Sequence, residues 1–313
     1  MPHCPPVLII AFNRPHAVTQ LAQALAVVKP SRVYVAVDGP RGQMPEDAAR
    51  CEQVRSILGS LPWEHELHTL FREVNLGCGP AVSGAIDWFF EHEPEGIVLE
   101  DDVLPHPSMF PFMAEMLDRY RDDDRAMHIS GSNYAGAQAP GGYFFSRYVA
   151  IWGWATWRRA WQHFSLDISD WRKPPSVLNK PGLDWRTRRY LAFAFGRAEH
   201  GLGNWDYQWK YTVMRHGLAI TPNSNLAVTT VFGEEATGLR QHGHIPELEP
   251  MQARLTHPAT VDVDPALEHE MFHEQLARGA WYWETSRLLV PSPQLYHRFG
   301  TIVRGAARRV SRS

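Results

Sequence analysis

The chain is predicted to be an α/β protein built on a Rossmann-like, mixed and largely parallel sheet covered by helices on both faces. Three observations carry this: short runs that are apolar at every position, helical stretches between them, and polar residues where the runs end. Residues 7–12 form the first apolar run. After Asn13-Arg14-Pro15, the residues Ala17, Leu21, Leu25 and Val28 recur at helical spacing. Residues 33–37 form a second strand, stopped by the turn formers Asp38-Gly39-Pro40, and residues 45–58 read as another helix. A weaker strand at 67–71, a helix at 81–90 and a strand at 97–99 that runs directly into Glu100 complete the first half. Beyond Asp124 the texture changes. Residues 127–130 read as a strand, 143–157 are rich in aromatics and glycine, 205–215 read as a helix, and 219–221 lead into Pro222-Asn223-Ser224-Asn225.

Parallel sheets bind ligands at the carboxyl ends of their strands. Three of the first four strands end in polar groups: Asn13 and Arg14, then Asp38, then Glu100, Asp101 and Asp102. Ordered side by side, they place these groups on one rim. Three successive carboxylates after an apolar strand repel one another and are costly to desolvate without a cation. Oxygen-only donors suit Mn2+ or Mg2+ shared with a substrate diphosphate.

Composition narrows the alternatives. The 313 residues carry a formal net charge of -3, which gives no general attraction to a polyanion, and no nucleic-acid partner is expected. Cys4, Cys51 and Cys78 are isolated, without the paired spacing of a zinc site or disulfide framework, which suits a reducing compartment. No basic segment precedes an apolar stretch at the start, and no apolar run approaches the ~18 residues of a membrane span. A cytoplasmic protein is the expectation. Of 12 tryptophans, eight lie between Trp152 and Trp209, where indole faces are available to stack on sugars or to fill a core.

The order of motifs Ala11-Phe12-Asn13-Arg14, Val37-Asp38-Gly39, Glu100-Asp101-Asp102, Gly153-Trp154, Trp205-Asp206-Tyr207-Gln208-Trp209 and the stretch 222–238 resembles N-acetylglucosaminyltransferase I and its bacterial nucleotide-diphospho-sugar transferase relatives, over most of residues 7–240. The resemblance implies the GT-A fold and a metal-dependent, inverting transfer from a nucleotide sugar, a UDP-sugar favoured, to a glycan or lipid-linked glycan. It further implies that Arg14 holds the donor diphosphate, Asp38 meets the nucleotide base, Asp102 ligates the metal, Glu100 and Asp101 contact sugar and ribose, and Asn75 lies near the donor. Assembly of cell-surface polysaccharide or lipopolysaccharide is the setting it suggests.

An inverting transfer needs one general base for the acceptor hydroxyl. Asp206 is the candidate, set between Trp205 and Trp209, an aromatic setting able to shape an acceptor pocket and raise its pKa; the resembling family places its base in a Trp-Asp-Asp-Trp element. This chain has Tyr207 and Gln208 where a second acid would stand, and Asp170 beside Trp171 is the reserve. Trp154, Trp205 and Trp209 are candidate acceptor contacts. In the segment 233–238, Gly238 stands where the bacterial relatives continue into histidine, with His242 and His244 further on.

Two competing functions remain. A sugar nucleotidyltransferase shares the sheet and metal but needs a glycine-rich triphosphate loop after the first strand, where this chain has Asn13-Arg14-Pro15-His16. A zinc metallohydrolase is suggested by His269-Glu270-Met271-Phe272-His273, a literal HExxH. Its third ligand is missing from the sequence pattern, since Leu276 occupies the metzincin glycine position and Glu284 follows too closely, so a chance match is expected. Gly77-Cys78-Gly79 is half a dinucleotide fingerprint, spoiled by Val82. The expected organisation is a nucleotide-sugar half at 1–124, an acceptor half at 125–250, C-terminal helices at 251–297 and a basic tail at 298–313. In that tail Arg298, Arg304, Arg308, Arg309 and Arg312 alternate with apolar residues, a composition that suits peripheral contact with an anionic membrane.

Overall fold

The structure, a computed structural model, describes residues 4–201, 205–230, 247–251 and 254–274. Its first half is a regular alternation: β1 (Val7–Ala11), α1 (Pro15–Val28), β2 (Arg32–Val37), α2 (Pro45–Leu58), β3 (Glu66–Phe71), α3 (Cys78–His92) and β4 (Glu95–Glu100). A short β5 (Val103–Pro105), α4 (Met109–Arg119), β6 (Ala126–Ser130), β7 (Tyr143–Ser146), β8 (Trp154–Trp157) and α5 (Arg158–Trp161) follow. A 3-10 turn (Val177–Asn179), α6 (Trp185–Glu199), α7 (Asp206–His216), β9 (Leu218–Pro222) and β10 (Ala227–Thr229) come next, and residues 265–274 are helical.

Eight strands form one sheet in the order β3-β2-β1-β4-β8-β6-β9-β7. The first four are mutually parallel, β8 runs antiparallel between β4 and β6, and β7 is an antiparallel edge. This is the mixed, mostly parallel α/β architecture expected, Rossmann-like and consistent with the GT-A fold. Because β8 lies in the middle of the sheet, the sheet continues unbroken across the boundary expected at Asp124. A second antiparallel ribbon pairs β5 with β10.

Right-handed crossovers put α1 and α2 on one face and, because the chain reverses direction after β3, α3 on the other. Tyr34 of β2 meets Trp88 and Phe89 of α3 edge-on, while Trp157 of β8 sends its indole N–H to Leu117 of α4 on the opposite face. All five residues of β1 are buried, as parallel strands covered on both faces require. One large apolar cluster spans the sheet; a second gathers Tyr148, Trp171, Phe195, Tyr211, Met271 and Phe272 beneath α6, α7 and the 265–274 helix.

Among the described residues no helix is long and apolar enough to cross a membrane. The segment 233–238, His242, His244, Leu276, Glu284 and the basic tail at 298–313 lie outside the described residues.

Candidate active site

Parallel pairing of β1 with β2 and β4 in register brings their carboxyl ends to one rim, with Ile10 opposite Glu100 and Ala11 opposite Val37. The polar residues after each strand therefore meet although the chain separates them. Arg14 Nη1 donates to Asp101 Oδ1 at 2.8 Å and lies 3.3 Å from Asp102 Oδ2. The second Asp101 oxygen accepts from the Phe12 backbone N–H at 3.1 Å. With only 4% exposure and both oxygens engaged, Asp101 ties the β1–α1 loop to the end of β4.

Asp38 is buried and similarly committed. Its carboxylate accepts from Asn75 Nδ2 at 2.8 Å and from the backbone N–H groups of Gly39, Leu76 and Gly77. These bonds shape the loop that carries Asn75 over the end of β2. Asn75 also donates to the Gly39 carbonyl at 3.0 Å. Gly39 permits the approach, since a Cβ there would lie 2.4 Å from the Val74 backbone.

Asp206 reaches the same rim from the other half of the chain. It opens α7, where its carboxylate lies at the positive end of the helix and faces Lys210 Nζ at 3.5 Å. Burial raises its pKa, with Lys210 opposing. Glu100 is pushed well above the ordinary carboxylate range by burial, then by the charges of Asp102, Asp101 and Asp206. Burial and Asp101 raise Asp102 to about 6 against the pull of Arg14. Burial likewise raises Asp101, with Arg14 opposing.

Four carboxyl groups thus share two nearby cations, Arg14 and Lys210. Such a set is made only of oxygen donors and is short of positive charge, which a divalent ion would offset. Asp102 keeps its side chain partly exposed beside Arg14, at 23%. Its backbone carbonyl accepts from Thr230 N–H at 2.7 Å, which fixes the turn after β4 against the end of β10.

Two residues that sequence reasoning did not assign join this cluster. Cys78, the first residue of α3, is exposed at the cleft, where desolvation and then Glu100 and Asp206 push its thiol up to about 12. Lys210 was legible only as the residue one helical turn after Asp206. Asp47, buried beneath the site, accepts from Asn13 at 2.7 Å and from Arg41, so it braces the β1–α1 loop.

Three expectations are corrected. Trp154, Trp205 and Trp209 are at most 1% exposed and pack on one another, with Trp154 also stacked on His128, so none offers a ring face to an acceptor. The cause is the central position of β8: the Gly153-Trp154 motif lies deep in the sheet, and Gly153 adopts φ 58° with Ala227, Met109 and Leu99 packed around it. Asp170 does not join the rim; it is paired with Arg215 and accepts from Tyr211 at 2.8 Å in a separate groove lined by His163 and His216. The HExxH histidines do find a third partner. His269 and His273 stand beside Asp184, and these are the residues among those described that bring three potential ligand atoms together, within 4.8 Å.

No protein-family model matches the chain, and no curated protein matches its sequence. Among solved structures, HddC from Yersinia pseudotuberculosis aligns at 9% identity and TM-score 0.30, over 49% of this chain and 77% of that one. Mouse xyloside xylosyltransferase 1 in its apo form aligns at 12% identity and TM-score 0.32, over 67% of this chain and 81% of that one. At such values the chemistry is read from the cleft's own residues.

Proposed function

We propose that the chain is a metal-dependent, inverting glycosyltransferase that moves a sugar from a nucleoside diphosphate sugar, a UDP-sugar foremost, to a hydroxyl of a glycan or lipid-linked glycan. The observation that carries this reading is the meeting of Asp206, from the second half of the chain, with the carboxylates at the end of β4. A carboxylate from the second half of the chain beside this rim would serve as the one base that one-step inversion requires.

In this reading Asp206 accepts the acceptor hydroxyl's proton while that oxygen attacks the anomeric carbon from the face opposite the diphosphate. The bond from that carbon to the diphosphate oxygen breaks, and its electron pair leaves with the diphosphate. The raised pKa of Asp206 strengthens it as a base. Lys210 holds the carboxylate in place and stabilises its anionic form between turnovers. Arg14, anchored on Asp101, supplies a planar cationic fork for phosphate oxygens. Glu100, whose pKa is raised by burial and by its acidic neighbours, would contact the donor sugar. Asp102 would hold Mn2+ or Mg2+, whose chemistry when bound is to offset charge on the leaving diphosphate.

The nucleotidyltransferase alternative is disfavoured by the β1–α1 connection, where only Phe12, Asn13 and Arg14 separate the two elements and no glycine is present. Use in cell-surface polysaccharide or lipopolysaccharide assembly, at the cytoplasmic face of a membrane approached through the tail, completes the proposal.

The test is thermal stabilisation of the full chain by UDP, GDP and dTDP and their sugars, with and without Mn2+, followed by transfer assays with the stabilising donor. Metal-dependent stabilisation by at least one donor, lost in Asp102→Ala and kept in Asp206→Asn, supports the reading. Absence of metal-dependent stabilisation by every nucleotide in the panel overturns it.

A further inference from the structure

We infer that Asp184, His269 and His273 form a zinc site that clips the helix at 265–274 to the start of α6, distinct from the sugar-transfer cleft. The sequence presents only two histidines four residues apart; the fold supplies the third donor. His269 and His273 lie one helical turn apart on one face, with ring centroids separated by 4.0 Å. Asp184 is the N-cap of α6. Its Oδ1 accepts the Thr187 backbone N–H at 2.7 Å, which leaves Oδ2 directed to the histidines, 2.7 Å from His273 Nε2 and 3.9 Å from His269 Nδ1.

These separations bracket what zinc needs. With bonds of about 2.0–2.1 Å, a tetrahedral ion sets its ligands about 3.3–3.4 Å apart. One pair has to open and the other to close by about half an ångström, within reach of small side-chain rotations. Two imidazoles and one carboxylate favour zinc over Mg2+ or Ca2+, which take oxygen donors. Three protein ligands leave a fourth position for water. The side chains are 56%, 37% and 28% exposed for His269, His273 and Asp184, so an ion has direct access from solvent.

The support around the three donors is already built. On the helix at 265–274, Glu268 forms a buried ion pair with Arg147, and Arg147 also donates to the Pro181 carbonyl just before Asp184. Met271 and Phe272 are buried in the second apolar cluster, with Phe272 edge-on to Tyr148. Alternate faces of the helix therefore face the core and Asp184, so the donors are held without metal and the ion replaces the His273–Asp184 hydrogen bond. The role assigned to the ion is structural: Glu270 is exposed, and among the described residues no contact directs its carboxylate at the three donors.

The experiment uses the untagged full chain, stripped of metal, titrated with zinc chloride and, for its visible absorption, with Co2+. One zinc per chain with a rise in melting temperature is expected. The His269→Ala/His273→Ala double variant should lose that zinc, and Asp184→Asn, which keeps a good helix cap, should weaken it by at least about 10–100-fold, the scale for losing even an outer partner of a metal ligand. The Asp102→Ala chain should bind zinc as the parent does, separating this site from the cleft. Equal zinc stoichiometry and affinity in the parent, the double variant and Asp184→Asn, or no zinc bound by the parent, overturns the assignment.

Discussion

Asp206, the first residue of α7, lies close enough to Glu100, the last residue of β4, for its negative charge to add to the rise that burial, Asp102 and Asp101 give the Glu100 pKa. The two come from opposite halves of the chain, and that encounter defines the cleft. Replacing Asp206 by Asn removes the proton acceptor while keeping its shape. Transfer should slow by roughly 100-fold or more, the usual scale of general-base catalysis, with donor affinity largely retained. Single-turnover rates and donor titrations on Asp206→Asn and Asp170→Asn check this; loss confined to the Asp170 variant would exchange the two roles.

Asp102→Ala should abolish Mn2+-dependent donor binding with little change in melting temperature. The Arg14–Asp101 pair at 2.8 Å and the Thr230–Asp102 backbone bond survive the change, so the rim keeps its shape. Calorimetric titration of donor with and without Mn2+ reads the effect, and equal donor affinity in variant and parent would remove Asp102 from the metal. His273→Ala, by contrast, should leave transfer intact.

Trp154→Ala should act through the fold. The indole is wholly buried among His128, Trp161, Trp205 and Trp209, and emptying such a space costs about 3–5 kcal/mol. Denaturant unfolding should register that loss. A raised acceptor KM with unchanged stability would instead return Trp154 to the acceptor site.

His128 should make stability fall as the medium is acidified. Its Nδ1 accepts from Trp209 Nε1–H at 3.1 Å, so the proton sits on Nε2 and is donated to the Ala150 carbonyl at 3.0 Å. Burial lowers its pKa to about 3. The unfolded chain then binds more protons between that value and the ordinary 6.5, so stability present above pH 6.5 is lost as pH falls through this window, by at most about 1.4 kcal/mol per unit. The raised carboxyls of the cleft contribute with the opposite sign. The readout is therefore the difference between the parent and His128→Gln in urea unfolding at pH 7 and pH 5, and parallel pH dependences would contradict it.

How much of this was legible in the sequence follows from the range of the interactions. Unbroken apolar runs and helical spacing are local, and residues 33–37, 45–58 and 67–71 gave β2, α2 and β3 nearly to the residue. The polar strand ends were equally readable, because parallel strands can end on only one rim. What those ends do was less readable. Asp38 and Asp101 read as donor contacts, and the fold also commits their oxygens to Asn75, Leu76, Arg14 and Phe12.

The sequence by itself determined the α/β alternation, the acidic rim and the short list of acids from which a base must come, since these depend on residue type and near-neighbour spacing. Only the tertiary structure brought Asp206 rather than Asp170 to the acidic rim, buried the three tryptophans and completed the histidine pair. Each of those outcomes depends on a non-local contact. The antiparallel insertion of β8 between β4 and β6 turns Trp154 into core, and the docking of the 265–274 helix carries His273 to Asp184, 89 residues earlier in the chain. Burial and proximity of this kind come from how elements pack, and no pattern confined to a few neighbouring residues encodes them.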